Sequence, residues 1–156
     1  MWNRSPARSA KLSSRCNRIL AERKGIAIVE ETEPGLPALA LDPWKFEQVL
    51  YNLISNAVKF SERGTTVTVR CVRHGDQVVL SVRDHGQGIP AEELDRLFKP
   101  FSRTSVRATA GESSTGLGLA IVKRIIDGHA ARVHVDSVVG QGSVFSISLP
   151  IPSEVA

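Results

Sequence analysis

The chain carries the stretch DPWKFEQVLYNLISNAVKF at residues 42–60, which has the clearest structural pattern in the sequence. The stretch opens with Asp42-Pro43, in which an aspartate side chain can cap a helix and proline suits the first helical position. Apolar residues then recur at helical spacing, at Phe46, Val49, Leu50, Leu53, Ile54 and Ala57. The pattern predicts a helix that ends near Phe60 and has one face in a hydrophobic core.

A polar stripe interrupts this helix on a side that adjoins the core. Asn52, Asn56 and Lys59 are spaced i, i+4 and i+7, so they share one face. A solvated face is the usual explanation of such a stripe, but an amide buried without a partner costs about 1–3 kcal/mol. A magnesium-bound polyphosphate would supply partners, because amide oxygens suit a hard cation and lysine neutralises phosphate.

The surrounding elements predict an α+β fold. Alternating apolar residues predict strands over 66–73 and 77–84, joined by a turn at 74–76. Further strands are predicted over 26–29, up to residue 41, over 132–137 and over 143–149, and helices over 91–98 and 118–129. The polar residues 99–115 predict a long mobile loop. We therefore expect a two-layer sandwich, with a mixed, mainly antiparallel sheet and helices packed on one face.

A lone carboxylate ends the second central strand. Alternation places Asp84 on the same face as Val78, Leu80 and Val82, and Gly86 and Gly88 follow it. A carboxylate there accepts hydrogen bonds only, so it would favour the amino group of adenine over the carbonyl oxygen of guanine. An Asp-Gly turn cap explains the same residues equally well on local grounds.

Glycines open the last predicted helix at Thr115-Gly-Leu-Gly-Leu119. They would leave backbone N–H groups exposed at the positive end of the helix dipole, where phosphate binds readily. A dinucleotide fingerprint would need a preceding strand, and here a polar loop precedes the glycines. The sequence also lacks the Gly-Lys-Ser/Thr of a P-loop.

Two more segments complete a pattern of five, LFKPF at 97–101 and GQGSVF at 140–145. Together with FEQVLYNLISNAVKF at 46–60, DHGQGIP at 84–90 and TGLGL at 115–119, they resemble the histidine kinase branch of the Bergerat-fold ATPases. That superfamily also includes gyrase, Hsp90 and MutL. In chain order the segments are similar to its N, G1, F and G2 boxes and to the glycine turn before its last strand. The resemblance covers roughly residues 24–150.

The resemblance implies a base pocket that binds ATP. Asp84 would accept a hydrogen bond from the adenine amino group, and Phe60 would stack near the base. Gly86, Gly88 and Ile89 would form the adjoining wall.

The resemblance also implies a magnesium and phosphate site. Asn56 would ligate Mg²⁺, Asn52 would lie beside it near the phosphates, and Lys59 would contact phosphate. Arg103 would be a cation near the γ-phosphate on a mobile ATP lid. The residues implied at the base of the lid and around the phosphates are Phe98, Phe101, Thr115, Gly116, Leu117, Gly118 and Leu119.

One residue separates phosphoryl transfer from hydrolysis. The hydrolysing relatives carry a glutamate where this chain has Asn52, and an amide cannot take a proton from water at neutral pH. We therefore expect a protein-histidine kinase that transfers the γ-phosphoryl group to a histidine. None of the four histidines of this chain lies in the family's acceptor sequence, so that histidine would belong to a separate dimerisation domain, in cis or in trans. The alternative is a degenerate, non-catalytic ATP-binding module that regulates a partner through its lid.

Charge and composition limit the other functions. The net charge of +4 comes from residues 1–24, which hold seven basic side chains and one acidic side chain. We interpret residues 1–23 as a basic N-terminal arm or solvated helix, 24–150 as the catalytic domain and 151–156 as a tail. Neither nucleic-acid binding nor membrane contact is expected of this chain, and a response regulator would act downstream. Two cysteines without ligand spacing, Cys16 and Cys71, indicate a cytoplasmic protein.

The sequence departs from the family at the end of the last helix. The family usually has two glycines after the position of His129, and this chain has Ala130-Ala131. If either residue must be left-handed, alanine costs about 1–2 kcal/mol there. We expect this departure to affect the helix end more than the nucleotide site.

Overall fold

A computed structural model describes residues 3–102 and 116–153. Apart from a two-residue strand at the start, which was not predicted, its elements follow the order predicted from the sequence. They are β1 (Asn3–Arg4), α1 (Pro6–Lys24), β2 (Ala27–Thr32), β3 (Leu39–Ala40), α2 (Pro43–Phe60), β4 (Thr66–His74), β5 (Gln77–Arg83), a 3-10 helix (Ala91–Arg96), α3 (Gly118–Gly128), β6 (Arg132–Val138) and β7 (Gly142–Pro150).

The main sheet has five strands in the order β2-β4-β5-β7-β6. β2 and β4 are parallel, and the other three pairs are antiparallel. β1 and β3 form a separate two-stranded antiparallel sheet. The predicted mixed, mainly antiparallel sheet is therefore confirmed.

One face of the sheet packs against the helices, as the period-2 pattern predicts. Alternate residues of the central strands are buried on that face, and the core residues of α2 lie against them. Full burial of each large apolar side chain contributes about 1.5–3 kcal/mol to folding. The α+β two-layer architecture is confirmed. The largest fully buried side chains are Phe46, Leu39, Leu50, Leu53, Ile54, Leu80, Ile126, Ile147 and Leu149.

The N-terminus of α2 is capped as predicted. Asp42 Oδ1 accepts hydrogen bonds from the backbone N–H groups of Trp44 (3.1 Å) and Lys45 (3.3 Å). Pro43 occupies the first helical position, where the missing N–H has no cost. A second contact secures this end, because the Asp42 N–H donates to His129 Nε2 (3.1 Å) at the end of α3. The helix that carries the polar stripe is thus fixed where it begins.

Helix α1 differs from the solvated helix expected for the basic arm. It packs against α2 through a face of small and polar residues, while Arg8, Arg15 and Arg18 stay exposed. The solvated interpretation rested on the charge pattern of residues 1–24, and it was wrong because that pattern does not reveal a buried face of small and polar residues. The division at residues 23 and 24 stays a prediction. The buried residues of this face include Ser9, Ala10, Ser13, Ser14, Asn17 and Ala21.

Two other expectations concern less regular parts of the chain. The short helix predicted over residues 91–98 is a 3-10 helix, Ala91–Arg96. Most of the predicted mobile loop, residues 103–115, lies outside the described residues, and so the lid stays a prediction. No helix within residues 3–102 and 116–153 has both the length and the apolar character to cross a bilayer.

Candidate functional site

The polar stripe of α2 lies beside the core, as the sequence predicts. Asn52, Asn56 and Lys59 are each half-buried, whereas the neighbouring Val49 and Leu53 are at most 1% exposed. The stripe therefore lies at the boundary between the core and the surface of the domain.

Asn52 joins this stripe to the glycine-opened start of α3. Its Nδ2 group donates to the Gly118 carbonyl oxygen at 3.4 Å. A Cβ atom on Gly118 would lie 3.8 Å from both Cγ and Oδ1 of Asn52, which is an ordinary contact. Two segments that the sequence separately predicts to bind phosphate, 66 residues apart, are thus brought into contact.

Asp84 directly follows β5 and is buried, with 6% of its surface exposed. Its Oδ1 atom accepts from the backbone N–H groups of Gly86 (2.9 Å) and Ser143 (3.2 Å). The Asp84 N–H in turn donates to the Ser143 carbonyl oxygen at 2.9 Å. Within the described residues both donors to the carboxylate bond Oδ1, which leaves Oδ2 for a ligand.

The surroundings of Asp84 disfavour its charged form. Burial raises the pKa of Asp84 above the ordinary value of 3.8, and the hydrogen bonds from Gly86 and Ser143 and the nearby His85 oppose the increase. Desolvation is the largest effect, since it removes water from the anion. A buried carboxylate with a perturbed pKa and an unused oxygen is a candidate for ligand binding.

Gly86 and Gly88 permit close packing of the protein's own backbone. A Cβ atom on Gly86 would overlap the carbonyl oxygen of Phe60, and one on Gly88 would overlap that of Val138. Gly88 also has a φ of +73°, in the region that favours glycine. The sequence predicts that these glycines shape the wall of the base pocket. In the structure they allow residues 86–88 to pack between the end of α2 and the end of β6, and their role in a base pocket stays a prediction.

The hairpin of β6 and β7 supports the Asp84 segment from the other side. The Ile89 N–H donates to Ser137 Oγ at 2.7 Å, and Ser137 Oγ lies 2.8 Å from Ser143 Oγ. Ser137 and Ser143 were not predicted as site residues. Ser143 contacts Asp84 through its backbone N–H, so the identity of the Ser143 side chain gives no sign of this contact. The only signal in the sequence is the position of Ser143 directly after the glycine turn at 140–142.

The residues just before α3 contact the residues that follow the 3-10 helix. The Phe101 N–H donates to the Gly116 carbonyl oxygen at 3.0 Å, and Gly116 has a φ of +73°. Phe98 is half-buried and packs edge-on against Phe145, with ring centroids 6.5 Å apart. The Phe101 side chain is 74% exposed. Backbone contact thus joins Phe101 to Gly116.

The remaining predicted residues divide between the described and undescribed parts of the chain. Leu117 and Leu119 are half-buried at the start of α3. Arg103 and Thr115 lie outside the described residues, so their roles stay predictions.

The donor groups fit a magnesium ion that arrives with phosphate rather than a metal bound by the protein alone. Within residues 3–102 and 116–153, no group of three or more His, Cys, Asp or Glu side chains could hold a metal ion. Asn56 offers a half-buried amide on the stripe next to the Asn52–Gly118 contact. Mg²⁺ typically keeps several waters and takes few protein ligands together with substrate phosphates.

Comparison with protein families gives a match over residues 41–153 to the model described as histidine kinase-, DNA gyrase B- and HSP90-like ATPase. The chain is similar to the circadian input-output histidine kinase CikA of Synechococcus elongatus, with 44% identity over 111 residues. It is also similar to the sensor histidine kinase RcsC of Salmonella typhimurium, with 41% identity over 134 residues. These alignments cover 70% and 85% of this chain and 14% of each relative.

Solved structures show the same architecture. The mycobacterial sensor histidine kinase MprB matches with a TM-score of 0.83 and 26% identity, over 97% of this chain and 100% of that one. Full-length ShkA in complex with AMPPNP matches with a TM-score of 0.84 and 29% identity, over 99% of this chain and 32% of that one. The resemblance predicted from five sequence segments is confirmed. The chain belongs to the family of histidine kinase-, DNA gyrase B- and HSP90-like ATPases, as a catalytic domain of the sensor histidine kinase type.

Proposed function

We propose that this chain binds Mg-ATP and transfers the γ-phosphoryl group to a histidine on a separate dimerisation domain. The observation that carries the proposal is the contact between Asn52 and Gly118, because it unites the amide stripe of α2 with the glycine-opened end of α3. The complex of the similar protein ShkA with AMPPNP, an ATP analogue, supports the choice of nucleotide.

Asp84 selects the base in this proposal. Its Oδ1 atom is held by two backbone N–H groups, so Oδ2 has a fixed direction and accepts from the amino group at C6 of adenine. Guanine carries a carbonyl oxygen at that position, and two acceptors would repel each other. Phe60, Gly86, Gly88 and Ile89 line the same pocket.

The polar stripe and the start of α3 hold the phosphates. Asn56 would ligate Mg²⁺, with Asn52 beside it, and Lys59 would contact a phosphate oxygen. Mg²⁺, when bound, neutralises negative charge on the phosphate oxygens. N–H groups at Gly116, Leu117 and Gly118 would donate to phosphate at the positive end of α3. Residues 52 to 60 rise about 12 Å along α2, so one helix reaches both ends of the site.

The residue at position 52 favours transfer to histidine over hydrolysis. In the reaction, the lone pair of an imidazole nitrogen forms the N–P bond, the bond from the γ-phosphorus to the bridging oxygen breaks, and ADP leaves. The attacking nitrogen already carries its lone pair, so the nucleotide site needs no base to activate it. Positioning and charge stabilisation then account for most of the catalysis.

The chain spans 14% of the length of the two relatives named above, and so the whole protein's activity and partners are proposals. We infer a dimerisation domain in cis or in trans, a response regulator downstream and a cytoplasmic location. The two described cysteines carry free thiols, which fits that compartment. The boundaries 1–23, 24–150 and 151–156 belong to this proposal as well.

A transfer assay tests the reaction. The purified chain is mixed with γ-labelled Mg-ATP and the histidine-bearing domain of the longer protein, and label on that histidine is expected. Asn56→Ala should abolish transfer, whereas Gln48→Ala, an exposed change on the same helix, should retain it.

The other outcomes overturn parts of the proposal. ATP binding without any transfer would identify a non-catalytic module instead of a kinase. Sustained, rapid release of phosphate without an acceptor would contradict the argument from Asn52.

A further inference from the structure

Lys24 is a buried cation at a helix end, and the sequence-based site does not include it. It is the last residue of α1 and is 6% exposed. Its Nζ group donates to the carbonyl oxygens of Val58 (3.0 Å) and Lys59 (2.6 Å), in the last turn of α2. The last carbonyls of a helix lack intrahelical partners and carry the negative end of the dipole, so a cation is favourable there.

We propose that Lys24 is a positioning residue for the nucleotide site. Its ammonium group fixes the last turn of α2, and this turn carries the side chains of Lys59 and Phe60 into the site. The inference rests on the proposed function, since it assigns Lys24 a role in the same ATP pocket.

The end of α2 depends on a donor from outside the helix. Its C-cap, Ser61, is extended (φ −79°, ψ 146°) and does not form a left-handed glycine cap. Both the N–H (3.1 Å) and Oγ (2.6 Å) of Ser61 bond the Ala57 carbonyl oxygen. The next two carbonyl oxygens, those of Val58 and Lys59, accept hydrogen bonds from Lys24 Nζ.

Lys24 itself is held firmly. Gly25 ends α1 in the left-handed conformation, with a φ of 70°. Its N–H donates to the Glu22 carbonyl oxygen (3.0 Å), and the Ile26 N–H donates to that of Ala21 (2.8 Å). This double cap fixes the direction of the chain at Lys24. The ammonium group therefore reaches α2 from a fixed base.

The last turn of α2 also contacts the adenine side of the site. Ser61 forms a β-bridge with Gly86, and the Phe60 carbonyl oxygen lies where a Cβ atom of residue 86 would be. The Gly86 N–H donates to Asp84 Oδ1. A shift of this turn would therefore move the phosphate-side lysine and the base-side carboxylate together.

A merely structural role for Lys24 predicts a different result. If Lys24 only docks α1 onto α2, its loss lowers the stability of the fold, and ATP affinity measured on folded protein stays the same. If Lys24 positions Lys59, the loss of Lys24 weakens ATP binding. The loss of Lys24 then weakens binding less in a chain that already lacks the Lys59 ammonium group. A double-mutant cycle measures that difference.

The experiment determines Mg-ATP dissociation constants by calorimetry for the parent chain, Lys24→Met, Lys59→Met and the double variant. All four are measured at a temperature where circular dichroism shows them folded. Lys24→Met should weaken binding about 10- to 100-fold, the range seen when an outer partner that orients a binding group is removed. In the Lys59→Met background, Lys24→Met should increase the dissociation constant by a factor several-fold smaller than in the parent. Lys24→Arg, which keeps a cationic donor, should recover part of the affinity.

Ala10→Gly provides the control for stability. Ala10 is 3% exposed in α1, far from the cap at Gly25, and glycine there weakens the helix without removing the bonds from Lys24 to α2. ATP affinity should equal that of the parent. Additive losses in the cycle, or unchanged affinity in Lys24→Met, would overturn the positioning role alone.

Two remaining outcomes are also decisive. If Lys24→Met does not fold, Lys24→Gln takes its place in the cycle, and the same coupling with Lys59 is required. If the folded parent does not bind Mg-ATP, both this inference and the proposed function are wrong.

Discussion

Replacement of Asp84 with asparagine changes one buried atom and keeps the shape of the side chain. In the protein, Oδ1 accepts from the N–H groups of Gly86 and Ser143. An asparagine would keep its oxygen at that position, because only oxygen can accept from those two donors. Its NH₂ group would then occupy the place of Oδ2 and face the amino group of adenine. The asparagine NH₂ group and the adenine amino group are both donors, so the hydrogen bond proposed for Asp84 Oδ2 could not form.

The expected loss of ATP affinity follows from that exchange. A hydrogen bond to a charged group contributes about 1.5–3 kcal/mol, and a donor left without an acceptor adds about 1–3 kcal/mol. We expect at least the lower end of that sum, about 3 kcal/mol, which corresponds to roughly a 100-fold increase in the Kd for Mg-ATP. Discrimination against GTP should decrease as well, because the amide now offers a donor to the guanine carbonyl oxygen.

The same substitution should not destabilise the fold at neutral pH. The pKa of Asp84 is raised in the folded protein, so ionisation there is less favourable than in the unfolded chain. This cost is fully present above the folded pKa and is relieved as the pH falls from there toward the ordinary value of 3.8. Asp84→Asn should therefore unfold at equal or higher urea concentration at pH 8, and its advantage should shrink as the pH falls.

Calorimetry and urea unfolding on the same samples test both expectations. Asp76→Asn, in the exposed turn between β4 and β5, makes the same chemical change away from the site and should leave the affinity as in the parent. Unchanged ATP affinity in Asp84→Asn would refute the role in base recognition. Equal affinity of the parent for ATP and GTP would refute it independently.

Two backbone substitutions give further tests. Ala130→Gly should raise the free energy of unfolding by about 1 kcal/mol, because Ala130 has a φ of 51° and glycine adopts that conformation without strain. Ala131→Gly should lower the free energy of unfolding. If urea unfolding shows no gain in stability for Ala130→Gly, the inferred backbone strain at Ala130 is wrong. Gly86→Ala should weaken ATP binding at least tenfold or prevent folding, since its Cβ atom would overlap the Phe60 carbonyl oxygen. Gly128→Ala is the matched control, because a Cβ atom there meets nothing within 4 Å. Equal ATP affinities of the two variants would show that close packing of Gly86 against Phe60 is not needed for ATP binding.

The parts of the fold that local chemistry specifies were predicted from the sequence. The Asp42 cap and the spacing of apolar residues gave the bounds of α2 to within one residue. Alternation and the turn at 74–76 similarly gave β4 and β5. In each case the signal lies in neighbouring residues, so it needs no knowledge of distant contacts.

The structure of α1 shows where such reasoning stops. Its buried face includes Ser13, Ser14 and Asn17, whose side chains are small enough for close packing. Asn17 Nδ2 donates to the Ser13 carbonyl oxygen, and Ser13 Oγ donates to the Glu47 carbonyl oxygen of α2. The charges of residues 1–24 predicted an arm or solvated helix, and small buried residues do not alter that charge pattern. The burial of one face of α1 was therefore not predicted.

Contacts made through the backbone were also hidden from the sequence. Ser143 holds Asp84 by its N–H, and Lys24 bonds two carbonyl groups more than 30 residues away. Ser143, Val58 and Lys59 take part in these contacts through backbone atoms, so no pattern of side chains marks them. The end of α3 is the opposite case, because the alanines in place of the family's glycines were visible in the sequence. The structure shows that one of them, Ala130, has a positive φ.

The most direct test of the account is a calorimetric titration of the folded chain with Mg-ATP. The amide stripe, the buried carboxylate and the start of α3 together predict saturable binding at one site per chain, with clear preference over Mg-GTP. A chain that is folded by circular dichroism and yet shows no saturable binding of Mg-ATP would contradict the account at its centre.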